Sequence, residues 1–167
     1  SLFVVPNRDF RDEEYSIPEA ILRENGIGIK VAASGPDDCK GIAGTIVSVN
    51  YTFDKVNTDE FGAIVFVGGT GVERYFTDDG ALGLAKEFFS SGKLVCAICW
   101  ASVLLAKAGI LSGKKVTGWE GGKADLEAAG AQYTGETVTI DGNIITGNGP
   151  DGAGEFANKI VNAMLEG

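Results

Sequence analysis

The sequence predicts an α/β protein built on a mainly parallel, doubly wound sheet. Three observations carry that expectation. Short apolar runs of strand length alternate with helix-length amphipathic segments through most of the chain. Runs such as "LFVV" and "AIVFVGG" are apolar throughout, as strands covered on both faces are. The 25 glycines are scattered at the ends of these segments, where turns and close backbone approaches belong.

In chain order, "LFVV" reads as a short buried strand. "FRDEEYSIPEAILRENG" reads as a helix with apolar Tyr15, Ile17, Ile21 and Leu22, stopping at Gly26. Pro18 removes an interior hydrogen bond, so a bend or restart is expected near Ser16 and Ile17. "IGIKVAAS" is a second strand, and the alternating "GTIVSVNYTF" suggests strand or hairpin structure at a sheet edge. "AIVFVGG" is a strand ending in a glycine turn. "TDDGALGLAKEFFSSG" is a helix capped by Thr77 or Asp78. "KLVCAIC" is the next strand and "WASVLLAKAG" the helix after it. "KKVTGW" gives a further strand and "GKADLEAAG" a short helix. "ETVTIDGNIITG" carries the Asp-Gly signal of a hairpin. "GAGEFANKIVNAMLEG" closes the chain as a helix. No internal repeat or boundary is visible, so residues 1–167 are expected to form a single domain.

Composition narrows the function. The net charge of −9 argues against nucleic acid or an anionic membrane as partner, since both require a basic surface. No apolar run approaches the ~20 residues of a membrane span. The opening residues do not read as a signal peptide, and the missing Met suggests a trimmed start. Three cysteines make no disulfide framework and fit a reducing, cytoplasmic compartment. The chain contains no histidine, which eliminates Ser-His-Asp and Cys-His catalysis and makes an intrinsic zinc site unexpected. No cofactor and no metal are expected.

Cys99 stands where a strand hands over to a helix with almost no loop. In a doubly wound sheet, sites lie beyond the carboxyl ends of the strands. A side chain at such a sharp turn projects above the sheet edge, as a nucleophile does. The helix that follows would point free N–H groups and its positive dipole end at the sulfur, favouring thiolate. Free cysteine is also among the most buried residue types, so position alone leaves nucleophile and packing residue as equal readings. Cys96 and Cys99 spell C-x-x-C. In a strand they would point to opposite faces with Cα atoms about 10 Å apart, against the ~7 Å limit of a disulfide. Cys96 is therefore expected in the core, and Cys39, in "SGPDDCKG", as an exposed or half-exposed thiol. "FVGGTG" lacks the Lys-Ser/Thr of a phosphate loop. Free N–H groups of Gly68 or Gly69 and of Trp100 could form an oxyanion hole beside Cys99, although a plain β-to-α turn explains the same glycines.

"AICWASVLLAKAGILSGKKVTG" resembles the signature of the ThiJ/PfpI superfamily. "FRDEEYSIPEAILRENGI", "GAIVFVGGTG" and "DGNIITGNGPDGAGEFANKIVNAML" are similar to its first helix, glycine turn and closing hairpin and helix. The last resembles most the branch of the parkinsonism-associated deglycase. The resemblance implies a flavodoxin-like three-layer sandwich of the class I glutamine amidotransferase-like kind, a homodimer, and a pair formed by the elbow cysteine, here Cys99, and a first-helix glutamate, here Glu14. A carboxyl buried beside a thiolate would have a raised pKa and could donate a hydrogen bond to sulfur and then a proton to substrate. Where protease-like members carry a histidine after the cysteine this chain has Trp100. Where the deglycase branch often has one after the "vT" strand it has Trp119. An indole N–H donates a hydrogen bond but shuttles no proton at neutral pH.

Three functions compete on these grounds. The leading expectation is a cysteine-dependent enzyme acting on small electrophilic carbonyl compounds, glyoxalase-like or deglycase-like, with Trp100 and Trp119 at the substrate pocket. A peptidase or amidase would require a general base that no histidine supplies. A redox sensor of oxidative stress would stop at a Cys99 sulfinic acid held by Glu14.

Overall fold

A computed structural model describes residues 1–166. Its main sheet draws on seven strands: β1 (Leu2–Val4), β3 (Lys30–Ala33), β6 (Tyr51–Thr52), β7 (Ala63–Phe66), β8 (Leu94–Ile98), β11 (Val138–Asp141) and β12 (Ile144–Gly147). Two further strands, β9 (Lys115–Val116) and β10 (Gln132–Tyr133), pair with each other. Three more, β2 (Arg8–Phe10), β4 (Cys39–Gly41) and β5 (Ile46–Val47), form a small separate sheet. The order across the main sheet is β11–β12–β8–β7–β1–β3–β6, parallel throughout except for the β11–β12 hairpin. The mainly parallel α/β architecture expected from the strand–helix alternation is therefore present.

The apolar strands are covered on both sides. Ile64 and Phe66 of β7 join one core cluster, and the alternate Val65 and Val67 join the other. Helices α2 (Asp79–Ser90), α3 (Ser102–Lys107) and α4 (Lys123–Ala128) cover the first face through residues such as Phe88, Leu104 and Leu126. Helices α1 (Asp12–Glu24) and α5 (Ala153–Glu166) cover the second through Leu22, Phe156 and Ile160. Burying each such side chain contributes about 1.5–3 kcal/mol, so both clusters reward an unbroken apolar strand. Asp78 caps α2, accepting from the Gly80 and Ala81 N–H groups at 2.8 and 3.1 Å. Gly167, the end of the segment read as the closing helix, lies outside the described residues.

Several local expectations are corrected. Helix α1 runs through Pro18 without a restart. The missing N–H would have bonded to the Glu14 carbonyl four residues earlier, and the buried proline ring compensates by packing. Ile17 faces outward at 37% exposure, leaving Leu22 as the buried aliphatic of that helix. "GTIVSVNYTF" is divided, with β5 in the small sheet and β6 on the main sheet edge. Cys39 is fully buried in β4, where burial pushes its thiol up to about 11. The Cys39 thiol faces the Val5 carbonyl at 3.8 Å and β4 pairs with β2, both about thirty residues upstream, so "SGPDDCKG" by itself does not display the burial.

Candidate active site

The sheet delivers three carboxyl ends to one place: those of β7, β8 and β12. Strand β8 ends at Ile98 in extended conformation, and Cys99 follows with φ of 60°. A non-glycine residue in this left-handed region costs about 1–3 kcal/mol, which surrounding contacts must hold. The Cys99 carbonyl accepts from the Trp119 N–H at 3.1 Å. One helical turn on, the Ser102 hydroxyl donates to the Thr117 carbonyl at 2.9 Å, and the Thr117 N–H donates to Thr146 Oγ1 at 2.9 Å. Buried polar groups from the next loop and from β12 thus pin the turn. The positive φ also breaks strand alternation. Cys96 and Cys99 both pack on the second core cluster, so they are not directed to opposite faces as an unbroken strand would require. Cys96 is wholly buried in that core, its thiol pushed up by desolvation.

Glu14, the third residue of α1, is fully buried, and neither carboxyl oxygen has a hydrogen-bond partner among the described residues. The Cys99 thiol and the Gly68 N–H face it without reaching the geometry of a formed bond. Gly68 makes the approach possible. A β-carbon there would collide with Glu14 Oε1, and would lie 2.7 Å from the Ile98 carbonyl oxygen and 3.0 Å from Cys99 Cβ. The Gly68 carbonyl accepts from the Arg11 N–H at 3.0 Å and ties the start of α1 to the end of β7. Gly69 follows with φ of 109°, its α-carbon pressed against the backbone of Asp9, Phe10 and Arg11.

Burial dominates the electrostatics of this pair. It raises Glu14 from 4.5 to about 7, against the smaller opposing effects of the Cys99 thiol and the Arg11 guanidinium. Burial, and next the Glu14 charge, push the Cys99 thiol up to about 12, against the Trp100 backbone N–H and Arg11. The thiolate-favouring helix end expected from the sequence is corrected. Helix α3 begins at Ser102 after a tight 3-10 turn and has six residues, so a single N–H, that of Trp100, faces the sulfur. Between about pH 7 and 12 the pair holds one proton and one negative charge, with carboxylate and thiol as its main arrangement.

A cavity of about 480 Å³ opens above the pair. Cys99 and Glu14 line it together with Arg11, Gly69 and Thr70. Trp100, Trp119, Ile42 and Pro150 give it an apolar wall. Trp100 is held edge-on by Phe76 at 5.3 Å and by Trp119 at 5.7 Å between ring centroids. Arg11 pairs with Glu13 at 2.8 Å in the open. Of the residues singled out in the sequence, Cys99, Glu14, Gly69, Trp100 and Trp119 meet at this cavity. Gly68 does not line it and instead sits beneath the pair as a spacer. Among the described residues no cluster of three or more His, Cys, Asp or Glu side chains could hold a metal ion, and no helix is long and apolar enough to cross a membrane.

Sequence reasoning missed the hairpin that brings Ile42. The buried Asp12 carboxylate accepts from the Ala43 and Thr45 N–H groups at 2.8 and 2.9 Å. The Ile42 N–H donates to the Phe10 carbonyl at 2.9 Å. Gly41 lets the carboxylate in, since a β-carbon there would stand 2.5 Å from Asp12 Oδ2. Asp12 thus clamps the β4–β5 tip beside the start of α1. Its signal in the sequence was an acid two residues before Glu14 and a glycine-spaced "KGIAGT", which nothing local connects.

Comparison with known proteins places this arrangement in company. A model of the DJ-1/PfpI family matches residues 1–163. The protein MJ0967 of Methanocaldococcus jannaschii is 40% identical over 166 residues, covering 98% of this chain and 81% of its own. The deglycase PH1704 of Pyrococcus horikoshii is 37% identical over 149 residues, 89% of each chain. The crystal structure of a ThiJ/PfpI domain protein from Brachyspira murdochii superposes with a TM-score of 0.97 at 33% identity, covering 99% of this chain and 95% of that one.

Proposed function

The chain belongs to the DJ-1/PfpI family, and from that premise we propose that it is a cysteine-dependent, deglycase-like enzyme acting on α-oxoaldehydes, free or released from adducts with amines and thiols. Similarity to relatives named deglycases supports the class. The observation that carries the chemistry is the buried, unpartnered Glu14 carboxyl facing Cys99 at the bottom of one cavity.

In the singly deprotonated pair, one arrangement is a Cys99 thiolate beside a Glu14 carboxylic acid. Sulfur adds to the aldehyde carbon, and the carbonyl oxygen takes the Glu14 proton, giving a hemithioacetal. The Glu14 carboxylate then removes the hydrogen on the former aldehyde carbon and returns a proton to the neighbouring ketone carbon, while the hydroxyl proton passes from the first oxygen to the second. The aldehyde carbon is thereby oxidised to a thioester and the ketone carbon reduced to an alcohol, with no external oxidant. Water cleaves the thioester, releasing an α-hydroxy acid and the Cys99 thiol. A carboxyl with a pKa of about 7 serves as acid and base in turn. Neither indole that stands in place of a histidine could.

The test is α-hydroxy acid formation from methylglyoxal by wild type, Cys99→Ala and Glu14→Gln, with metal and buffer controls. Cys99→Ala should abolish turnover, and Glu14→Gln should lower it by about 10²-fold or more. Equal rates in the three proteins would end this reading.

A further inference from the structure

The two-residue chemistry makes no use of the apolar wall in the same cavity. Trp119 is 47% exposed and Ile42 is 52% exposed at its lips, so both leave apolar surface for a ligand to cover. Trp100 packs edge-on against both Phe76 and Trp119. A flat group sliding in from the mouth meets two indoles inclined at 72° to each other, which suits one stacked and one edge-on contact. The volume of about 480 Å³ falls among pockets that hold drug-sized ligands, not three-carbon ones. A methyl substituent would leave most of that wall in water. Charge points the same way. The Arg11 guanidinium at the rim spends its Nε on Glu13 at 2.8 Å, and the whole chain carries −9, so the net field of the protein disfavours an anionic substituent on this wall.

We propose that this cavity is a subsite for a neutral aryl group, with Trp119 and Trp100 as its walls, and that the preferred substrates are α-oxoaldehydes whose ketone carbon carries such a group. The substrate half of this proposal rests on the chemistry proposed for Cys99 and Glu14. The subsite itself does not.

The experiment has two arms. In the first, kcat/KM is measured for phenylglyoxal (as mandelate formed) and methylglyoxal (as lactate formed) with wild type and Trp119→Ala, each corrected by Cys99→Ala. Wild type should favour phenylglyoxal by about 10-fold or more, and Trp119→Ala should bring the ratio of the two substrates down by a similar factor, chiefly through KM. Equal ratios in both proteins would overturn the proposal. In the second, the non-reacting Cys99→Ala protein is titrated with acetophenone and with acetone while its two indole N–H resonances are followed. Acetophenone should shift both resonances in a saturable way, and acetone should shift neither. Saturable acetophenone binding at the indoles without turnover of either aldehyde would remove the α-oxoaldehyde chemistry and leave the aryl subsite standing. No indole shift with acetophenone would overturn the subsite whatever the rates show.

Discussion

Gly68 lies beneath both members of the pair, where a β-carbon would collide with Glu14 Oε1 and press on Cys99 Cβ. A methyl group there would stand 3.0 Å from Cys99 Cβ and 2.7 Å from the Ile98 carbonyl oxygen. Gly68→Ala should therefore cost about 1–3 kcal/mol of stability through overpacking, and turnover should fall by more than the stability loss explains. Thermal melting beside α-hydroxy acid formation measures both. A variant with wild-type rates would show that the close approach is unnecessary.

Glu14 stores a cost that depends on pH. Its pKa in the folded chain stands at about 7, against 4.5 in the open chain. Between these values the folded state binds the extra proton, so stability falls as pH rises from 4.5 to 7 and is level above. The displacement corresponds to about 3 kcal/mol. Glu14→Gln carries no such cost. It should melt higher than wild type at pH 8 and lose that advantage near pH 4. Chemical denaturation at the two pH values checks the sign.

Labelling with a neutral alkylating reagent should find one reactive thiol. Cys39 and Cys96 are wholly buried, and Cys99 is half-buried at the cavity. Its reaction rate should climb as the pair loses its first proton near pH 7, because the thiolate arrangement exists only after that step. In Glu14→Gln the climb should move to higher pH, toward that of a lone buried thiol. Mass spectrometry over a pH series reads out both.

Asp12→Ala releases the Ala43 and Thr45 N–H groups that hold the β4–β5 tip. Two charge-assisted bonds are lost, so stability should drop by about 3 kcal/mol, and KM should rise because Ile42 no longer holds its place at the cavity mouth. In wild type those bonds, outweighing burial, hold the Asp12 pKa below the ordinary range. The clamp's contribution is thus full above that range and fades as pH falls through it. Limited proteolysis should cut Asp12→Ala within residues 42–45 before it cuts wild type.

Gly118 packs against the back of the elbow, where a β-carbon would meet the Cys99 carbonyl oxygen at 3.0 Å and Ser102 Oγ at 3.1 Å. Gly118→Ala should disturb the Trp119 N–H bond to Cys99 and slow turnover while costing only about 1 kcal/mol. Normal turnover would show that the elbow tolerates a shift of a few tenths of an ångström.

The helices and most strands of the main sheet, the sharp turn at Cys99 and the lack of any histidine were determined by the sequence itself, because each is written in consecutive residues: apolar runs, helix periods, glycine and Asp-Gly turns; the short strands β2, β4 and β10 carry no such signal. Pairing Glu14 with Cys99 required the family resemblance as well, since 85 residues separate them and no local pattern links the two. Where water is absent depends instead on the packing of the whole chain. The burial that lifts Glu14 toward 7 and the Cys99 thiol toward 12, the inward turn of Cys39, and the hairpin that Asp12 hangs over the cavity all arise from distant segments packing together. Desolvation belongs to the surroundings of a group and not to the group, so a chain read one residue at a time does not display it.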